Sequence, residues 1–220
     1  MKPSVKAMAV LIALFVLFAG VERASATPIV APVSGNTTMG SLLPLNNAFN
    51  QSGLSATYIS GVTDFATFTA TTTHNSQPNN DYIAATTTGN VTFDLGSVMI
   101  IDKIAFWNFG GLGGNPFFAA TQFTLVASVD ASFTAPIVLG TFNPAVFGTS
   151  LNPAQVFSFA PTNAEFFRLQ AFVSNGAPGV GIGEVAFNST NVVPEPASLF
   201  LIGTGLAVAA ARRRFGASVP

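Results

Sequence analysis

The sequence predicts an all-β antiparallel sandwich, and three features carry that expectation. Apolar residues alternate with others at period two in Val91, Phe93, Leu95; in Phe123, Leu125, Ala127; in Phe167, Leu169, Ala171, Val173; and in Val185, Phe187, the spacing of strands with one buried face. Turn-forming clusters stand between them: Gly110 to Pro116, Asn143-Pro144, Asn152-Pro153 and Asn175 to Gly179. Between Thr27 and Val193 no segment asks to be a long helix.

The two ends of the 220-residue chain read differently from its middle. Lys2 and Lys6 precede an unbroken apolar run from Ala7 to Gly20, and Ala24-Ser25-Ala26 follows. A basic start, an apolar stretch in the roughly 7–15-residue range and small residues at a cleavage point are the parts of a secretory signal peptide. The expectation is a signal helix over 1–26, cut by signal peptidase between Ala26 and Thr27, with Ala24 and Ala26 in the peptidase's shallow subsites. A retained membrane anchor is the alternative.

From Thr27 to about Ser60 the chain is rich in Gly, Asn, Pro, Ser and Thr and reads as turns and short edge strands. The Thr-rich stretches Thr67 to Thr73 and Thr86 to Thr88 favour β structure, because branched side chains suit a pleated surface. The 27–193 segment is thus expected to be one sandwich. It contains no cysteine, so its stability must come from burial.

Charge narrows the partners. Six of the eight basic residues lie in the terminal segments, which leaves Lys103 and Arg168 against Asp64, Asp81, Asp94, Asp102, Asp130, Glu165 and Glu184. A core this acidic cannot neutralise phosphates, which argues against nucleic acid and against attraction to anionic lipid.

At the C-terminus, Val193-Pro194-Glu195-Pro196-Ala197-Ser198 is followed by an apolar run to Ala211 and then by Arg212-Arg213-Arg214. The run from Ala197 as a helix would span roughly 22 Å against a hydrocarbon core of about 30 Å. The arginines place their end on the cytoplasmic side. Pro194, Glu195, Pro196, Arg212, Arg213 and Arg214, in this order, resemble the PEP-CTERM sorting signal over 194–220. The resemblance implies a short C-terminal membrane helix and processing by an exosortase, an integral-membrane transpeptidase-like enzyme. It also implies transient residence in the inner membrane, then the cell surface or matrix of a polysaccharide-producing Gram-negative bacterium. A permanent C-terminal anchor is the alternative.

The middle resembles discoidin domains, the coagulation-factor C-type branch of the galactose-binding-like jelly rolls, over roughly residues 46–188. The pieces that carry the resemblance are Val91 to Gly96 leading into Ile104 to Trp107, Phe123 to Ser128 with Asp130, Glu165 to Leu169, and Gly183-Glu184-Val185. The chain departs from the pattern where Ala131 follows Asp130, and it lacks the terminal cysteines of animal members. The resemblance implies a jelly-roll sandwich, a non-catalytic carbohydrate-binding role and a structural calcium ion.

Catalytic and metal candidates are few. His74, the only histidine, lies in a polar stretch and reads as a solvated loop residue rather than a triad base. Two core carboxylates facing each other across roughly 5–9.5 Å would suit a glycosidase, and Asp94 and Asp102 read instead as outward charges or turn caps. Asp64 and Asp81, near several asparagines, could supply calcium oxygens or simply cap turns. Arg168 is expected on the face of Phe166, Gln170 and Phe172, paired with Glu184 or Asp94. Gly179 to Gly183 precedes a strand, not a helix, and is no dinucleotide loop. Asn115, Phe117 and Phe118 follow the Gly-rich turn and mark either an exposed tip that grips a sugar face or the start of the next strand's core face.

The expectation that follows is an exported, exosortase-sorted, non-catalytic surface or matrix protein that binds extracellular polysaccharide. A structural surface protein without a ligand is the alternative, and a polysaccharide hydrolase the third reading.

Overall fold

The structure, a computed structural model, describes residues 26–190 except 78. The strands are β1 (Ile29–Val30), β2 (Ser34–Thr37), β3 (Thr73–Asn75), β4 (Tyr82–Ile83), β5 (Asn90–Asn108), β6 (Ala120–Ser128), β7 (Ile137–Phe142), β8 (Leu151–Pro153), β9 (Gln155–Ser174) and β10 (Gly181–Ser189), with one α-helix, α1 (Phe65–Thr71). Every strand pair in the ladders is antiparallel. The expected all-β antiparallel jelly roll is what forms. The signal and membrane helices expected at the two ends lie outside the described residues, and none of the described helices is long and apolar enough to cross a membrane.

The two long strands build both layers. Residues 90–94 of β5 pair with β2 and with 166–170 of β9, whereas residues 101–108 pair with β10, and the β5–β9 ladder breaks between Asp94 and Met99. Gly96, at φ +80°, lies inside that break, where a residue without Cβ adopts the left-handed turn at no steric cost. Both strands thereby pass from one layer to the other. Phe93 and Phe167 are paired in one layer, and both meet Phe187 of β10 across the core, at ring-centroid distances of 6.4 and 4.6 Å. Phe93, Leu95, Phe123, Leu125, Leu169 and Phe187 are all buried, as the alternation requires.

Four sequence expectations are corrected. The segment around Thr67 is helical, not extended: Asp64 caps it by accepting from Thr67 N at 2.8 Å, and Phe65 and Phe68 bury one side. Inside it, Thr69 and Thr71 donate to the carbonyls four residues back, at 2.9 and 3.1 Å, which satisfies hydroxyls that would otherwise compete with the helix. Thr73 alone of that run enters a strand, and Thr86 to Thr88 lie in the bend between β4 and β5. Second, β10 is buried along its whole length rather than on one face. The helix and the preceding loop cover its outer side, where Phe65, Phe68, Tyr58, Trp107 and Ala186 form a second apolar cluster.

The third correction concerns phase in β9. Ala171 takes φ +51°, and the β6–β9 register shifts between Gln122 and Thr124. Phe172 therefore turns inward while Ala171 and Val173 are exposed. An irregularity of this kind inverts the faces of every later residue. The fourth is His74, which is fully buried in β3 rather than solvated in a loop.

The sandwich has two distinct ends, and β10 connects them. At its Ser189 end, Ser189 N donates to Pro28 O and Thr190 N to Ile100 O, at 3.0 and 2.9 Å. This basal end receives both ends of the described chain. At its Gly181 end, Gly181 N donates to Phe118 O at 2.7 Å, and the loop before β6 forms a tip.

Candidate functional site

The tip loop begins with a clamp. The buried Asn108 amide, at the end of β5, donates to Ala120 O at 2.8 Å, and its Oδ1 accepts from Phe109 N and Ala120 N, each at 2.9 Å. One side chain thus closes the base of the 109–119 loop and leaves its middle to project. Within the loop, Gly111 is held at φ +87° with no room for a Cβ against Asn115, a conformation that only glycine takes without strain. No periodicity or charge in the sequence marks Asn108, because its partners are backbone atoms and the clamp is closed only by Ala120, twelve residues on.

The structure brings Asn115, Phe117 and Phe118 together, and it splits the roles of the two rings. Both precede β6, which starts at Ala120. Phe118 is half-buried and packs edge-on between Phe109 and Phe117, at 6.1 and 5.8 Å. Phe117 is 45% exposed. Its ring rests on Gly176, where a Cβ would approach it to 3.0 Å, and Asn175 Nδ2 fixes the neighbouring Pro116 O at 3.2 Å. With Ile83 and Phe109 they line a groove of about 200 Å³, and Asn115 supplies the polar side chain among its walls. An exposed aromatic face with a neutral amide beside it suits a ring that has both an apolar C–H face and hydroxyls.

A larger hollow of about 430 Å³ lies beside α1 near Thr27. Its only charged wall residue, Lys103, is engaged with Asp102 at 2.7 Å. It offers few oriented polar groups, so its size does not make it the better site.

Asp64 and Asp81 are not brought together. Asp64 caps α1 and bridges to Pro28 at the basal end. Asp81 is buried beside Tyr82, which pairs with Ile182 at the tip end. Two carboxylates at opposite ends of the sandwich cannot share one ion. Among the described residues no group of three or more His, Asp or Glu side chains is placed to hold a metal.

Asp81 belongs instead to a buried polar cluster that the sequence reading missed. Its Oδ1 accepts from Ser76 Oγ at 3.0 Å and lies 3.7 Å from His74 Nδ1, while His74 Nε2 meets Ser52 O at 2.9 Å. Burial pushes His74 down to about 4 and Asp81 up to about 7, so the imidazole is neutral near pH 7. Glu184, buried on β10, accepts from Gln51 N at 2.9 Å and is held well above the usual carboxylate range by desolvation. Although Ser, His and Asp are adjacent here, the serine hydroxyl faces the carboxylate rather than the imidazole, and His74 and Asp81 are fully buried. That arrangement lacks the serine–histidine contact on which a triad depends.

Arg168 takes neither expected carboxylate. Glu184 is buried on β10, and Asp94 accepts from Gly96 N and Ser34 Oγ. The guanidinium lies 3.7 Å from the centroid of the Phe133 ring, and its Nε donates to Thr92 Oγ1 at 3.2 Å, a cation–π placement that needs no ion pair. Of the processing residues, Ala26 and Thr27 open the described chain, and Thr27 O accepts from Phe65 N at 2.9 Å. Ala24, Pro194, Glu195, Pro196, Arg212, Arg213 and Arg214 lie outside the described residues.

Comparison with solved structures bears on the fold. Truncated AlyQ with CBM32 and alginate lyase domains aligns at 14% identity and TM-score 0.50, over 80% of this chain and 38% of that one. The CBM32-1, CBM32-2 and M60 catalytic domains of Clostridium perfringens ZmpB align at 12% identity and TM-score 0.50, over 80% and 17%. The CBM32 of AlyQ in complex with 4,5-unsaturated mannuronic acid gives 16% identity and TM-score 0.46, over 72% and 96%. The chain thus spans under half of the first two, and the shared feature is the fold: a CBM32-type, discoidin-like jelly roll. No curated protein matches the sequence. At the other end of the chain, residues 192–214 match the PEP-CTERM protein-sorting motif, which implies export and membrane-anchored processing.

Proposed function

We propose that this is an exosortase-sorted surface or matrix protein whose sandwich, residues 27–193, binds neutral sugar units of the extracellular polysaccharide without cleaving them. The observation that carries the reading is the exposed Phe117 ring, backed by Phe118 and Phe109, with Asn115 at the edge of the same groove. A CBM32-type fold joined to a sorting motif supports it. The acidic core favours a neutral glycan over a polyanion. Purified 27–193, presented with the producing organism's own polysaccharide, tests it: retention without release of reducing ends supports the binder, release supports a hydrolase, and neither supports a purely structural protein.

Calcium remains a proposal confined to the tip-side cluster. Asp81 Oδ2 and Asn152 Oδ1 are buried there without protein hydrogen bonds, and hard oxygens of this kind are what calcium takes. Asp64 does not contribute. A rise in melting temperature with calcium over chelator, lost in Asp81→Asn and kept in Asp64→Asn, is the expected result.

A further inference from the structure

Both membrane-directed segments leave the sandwich at its basal end. Thr27 and Ser189 are neighbours there through Pro28, and Thr190 is tied to Ile100. Six residues, 191–196, then separate the sandwich from the apolar run that starts at Ala197. Fully extended, they reach about 20 Å. The sandwich along the nine residues of β10 is about 30 Å tall. An inverted domain with its tip on the bilayer would hold its base farther from the membrane than the tether reaches. The tether therefore forbids the tip-down orientation.

Large apolar side chains are exposed at both ends, Leu42, Leu151 and Phe117 towards the tip and five at the base, and the tether leaves only the basal ones within reach of the bilayer. Val33, Ile59, Val62, Val98 and Val129 are 66%, 68%, 67%, 50% and 57% accessible. The turn carrying Ile59 and Val62 is fixed to β1 by Gly61 N donating to Ile29 O at 2.8 Å and Ala31 N to Ser60 Oγ at 3.1 Å. Val33 N donates to Asp94 O at 2.8 Å, and Val33 lies against Gly96, two residues before Val98. Val129 follows Ser128, which is level with Phe166 and, through it, with Asp94. Single exposed valines need no explanation; on the tail reading, several of them lie around the end from which the tail leaves, where a membrane would face them.

We propose that the sandwich stands on the bilayer on this apolar basal end while the tail is inserted, presenting the Asn115–Phe117–Phe118 groove away from the membrane. The inference rests on the reading of residues 197–214 as a membrane-inserted sorting tail. The contact is apolar rather than ionic. The charges around this end are Asp64, Asp94, Asp102 with Lys103, Asp130, Glu165 and Arg168, an excess of carboxylates that disfavours anionic lipid. Lys103 is paired with Asp102 and Arg168 is stacked on Phe133. A neutral, zwitterionic surface is the partner that fits.

The absence of cysteine makes the test clean. Val62→Cys, Val98→Cys and Asn115→Cys in the full chain, each carrying an environment-sensitive dye, are reconstituted in phosphatidylcholine vesicles. The dyes at Val62→Cys and Val98→Cys should shift to the blue and lose several-fold in iodide quenching relative to the tail-less protein. The dye at Asn115→Cys should not change, and added phosphatidylglycerol should weaken the basal shielding. Floating protein whose basal dyes stay as open as the tip dye overturns this inference and leaves the tail reading intact. Shielding that appears only in native membranes and not in lipid vesicles replaces lipid with a protein contact and also overturns it. Protein that fails to float with the vesicles removes the tail reading, and this inference falls with it.

Discussion

His74 occupies the space that a side chain on residue 183 would need: a Cβ at Gly183 would lie 2.7 Å from His74 Nδ1, and one at Gly53 would lie 2.7 Å from Nε2. The only histidine of the chain is therefore held between two glycines, under β10, and its burial is a packing relationship rather than a catalytic one. Gly183→Ala should cost roughly 1–3 kcal/mol through overpacking. The same substitution in a His74→Ala background should cost less, because the clash is gone, and denaturant melts of the four proteins in the cycle read the difference.

Stability should fall as pH rises from about 5 towards 8. The folded pKa of His74 is lowered from 6.5 to about 4, so its contribution is lost as pH falls from 6.5. Asp81 is raised from 3.8 to about 7, so the unfolded chain releases that proton first and stability is lost as pH rises through this range. Glu184 is shifted in the same direction. Two acids oppose one histidine, and each net proton corresponds to about 1.4 kcal/mol per pH unit. Thermal melts across pH should show the decline, flatter in Asp81→Asn and steeper in His74→Gln.

Phe93 meets Phe49 and Phe187 edge-on at 6.0 and 6.4 Å and is fully buried. Phe93→Ala should destabilise the sandwich by roughly 3–5 kcal/mol. A urea midpoint close to that of the parent protein would contradict the packing described.

Phe117→Ala should abolish or strongly weaken retention on polysaccharide while shifting the melting temperature little, since the ring is 45% exposed. Asn115→Ala should behave alike. Phe118→Ala removes the support between Phe109 and Phe117 and should lower both binding and stability. Affinity electrophoresis beside thermal melts separates the two effects.

Processing should leave a mature form that ends near Pro194 to Pro196, measured as intact mass. Substituting Glu195 should block cleavage and leave membrane insertion unchanged. Neutralising Arg212, Arg213 and Arg214 together should weaken the orientation set by positive charge and reduce processing. A surface form that still carries Leu199 to Pro220 would mark a permanent anchor.

The sequence by itself determined the sandwich and its inward residues, because the period-two spacing of Phe93, Leu95, Phe123, Leu125, Leu169 and Phe187 leaves one face for the core. It also determined the sorting tail, whose Pro-Glu-Pro, apolar run and arginines are contiguous in the chain. What only the tertiary structure decided depends on partners far apart in sequence. Asn108 clamps the tip loop against Ala120, His74 is enclosed by Gly53 and Gly183, and Arg168 rests on Phe133 instead of a carboxylate. The Thr-rich segment became helical because Phe65 and Phe68 found a second apolar cluster on the outer side of β10, and local propensity, a fraction of a kcal/mol per residue, yields to burial worth about 1.5–3 kcal/mol per large side chain.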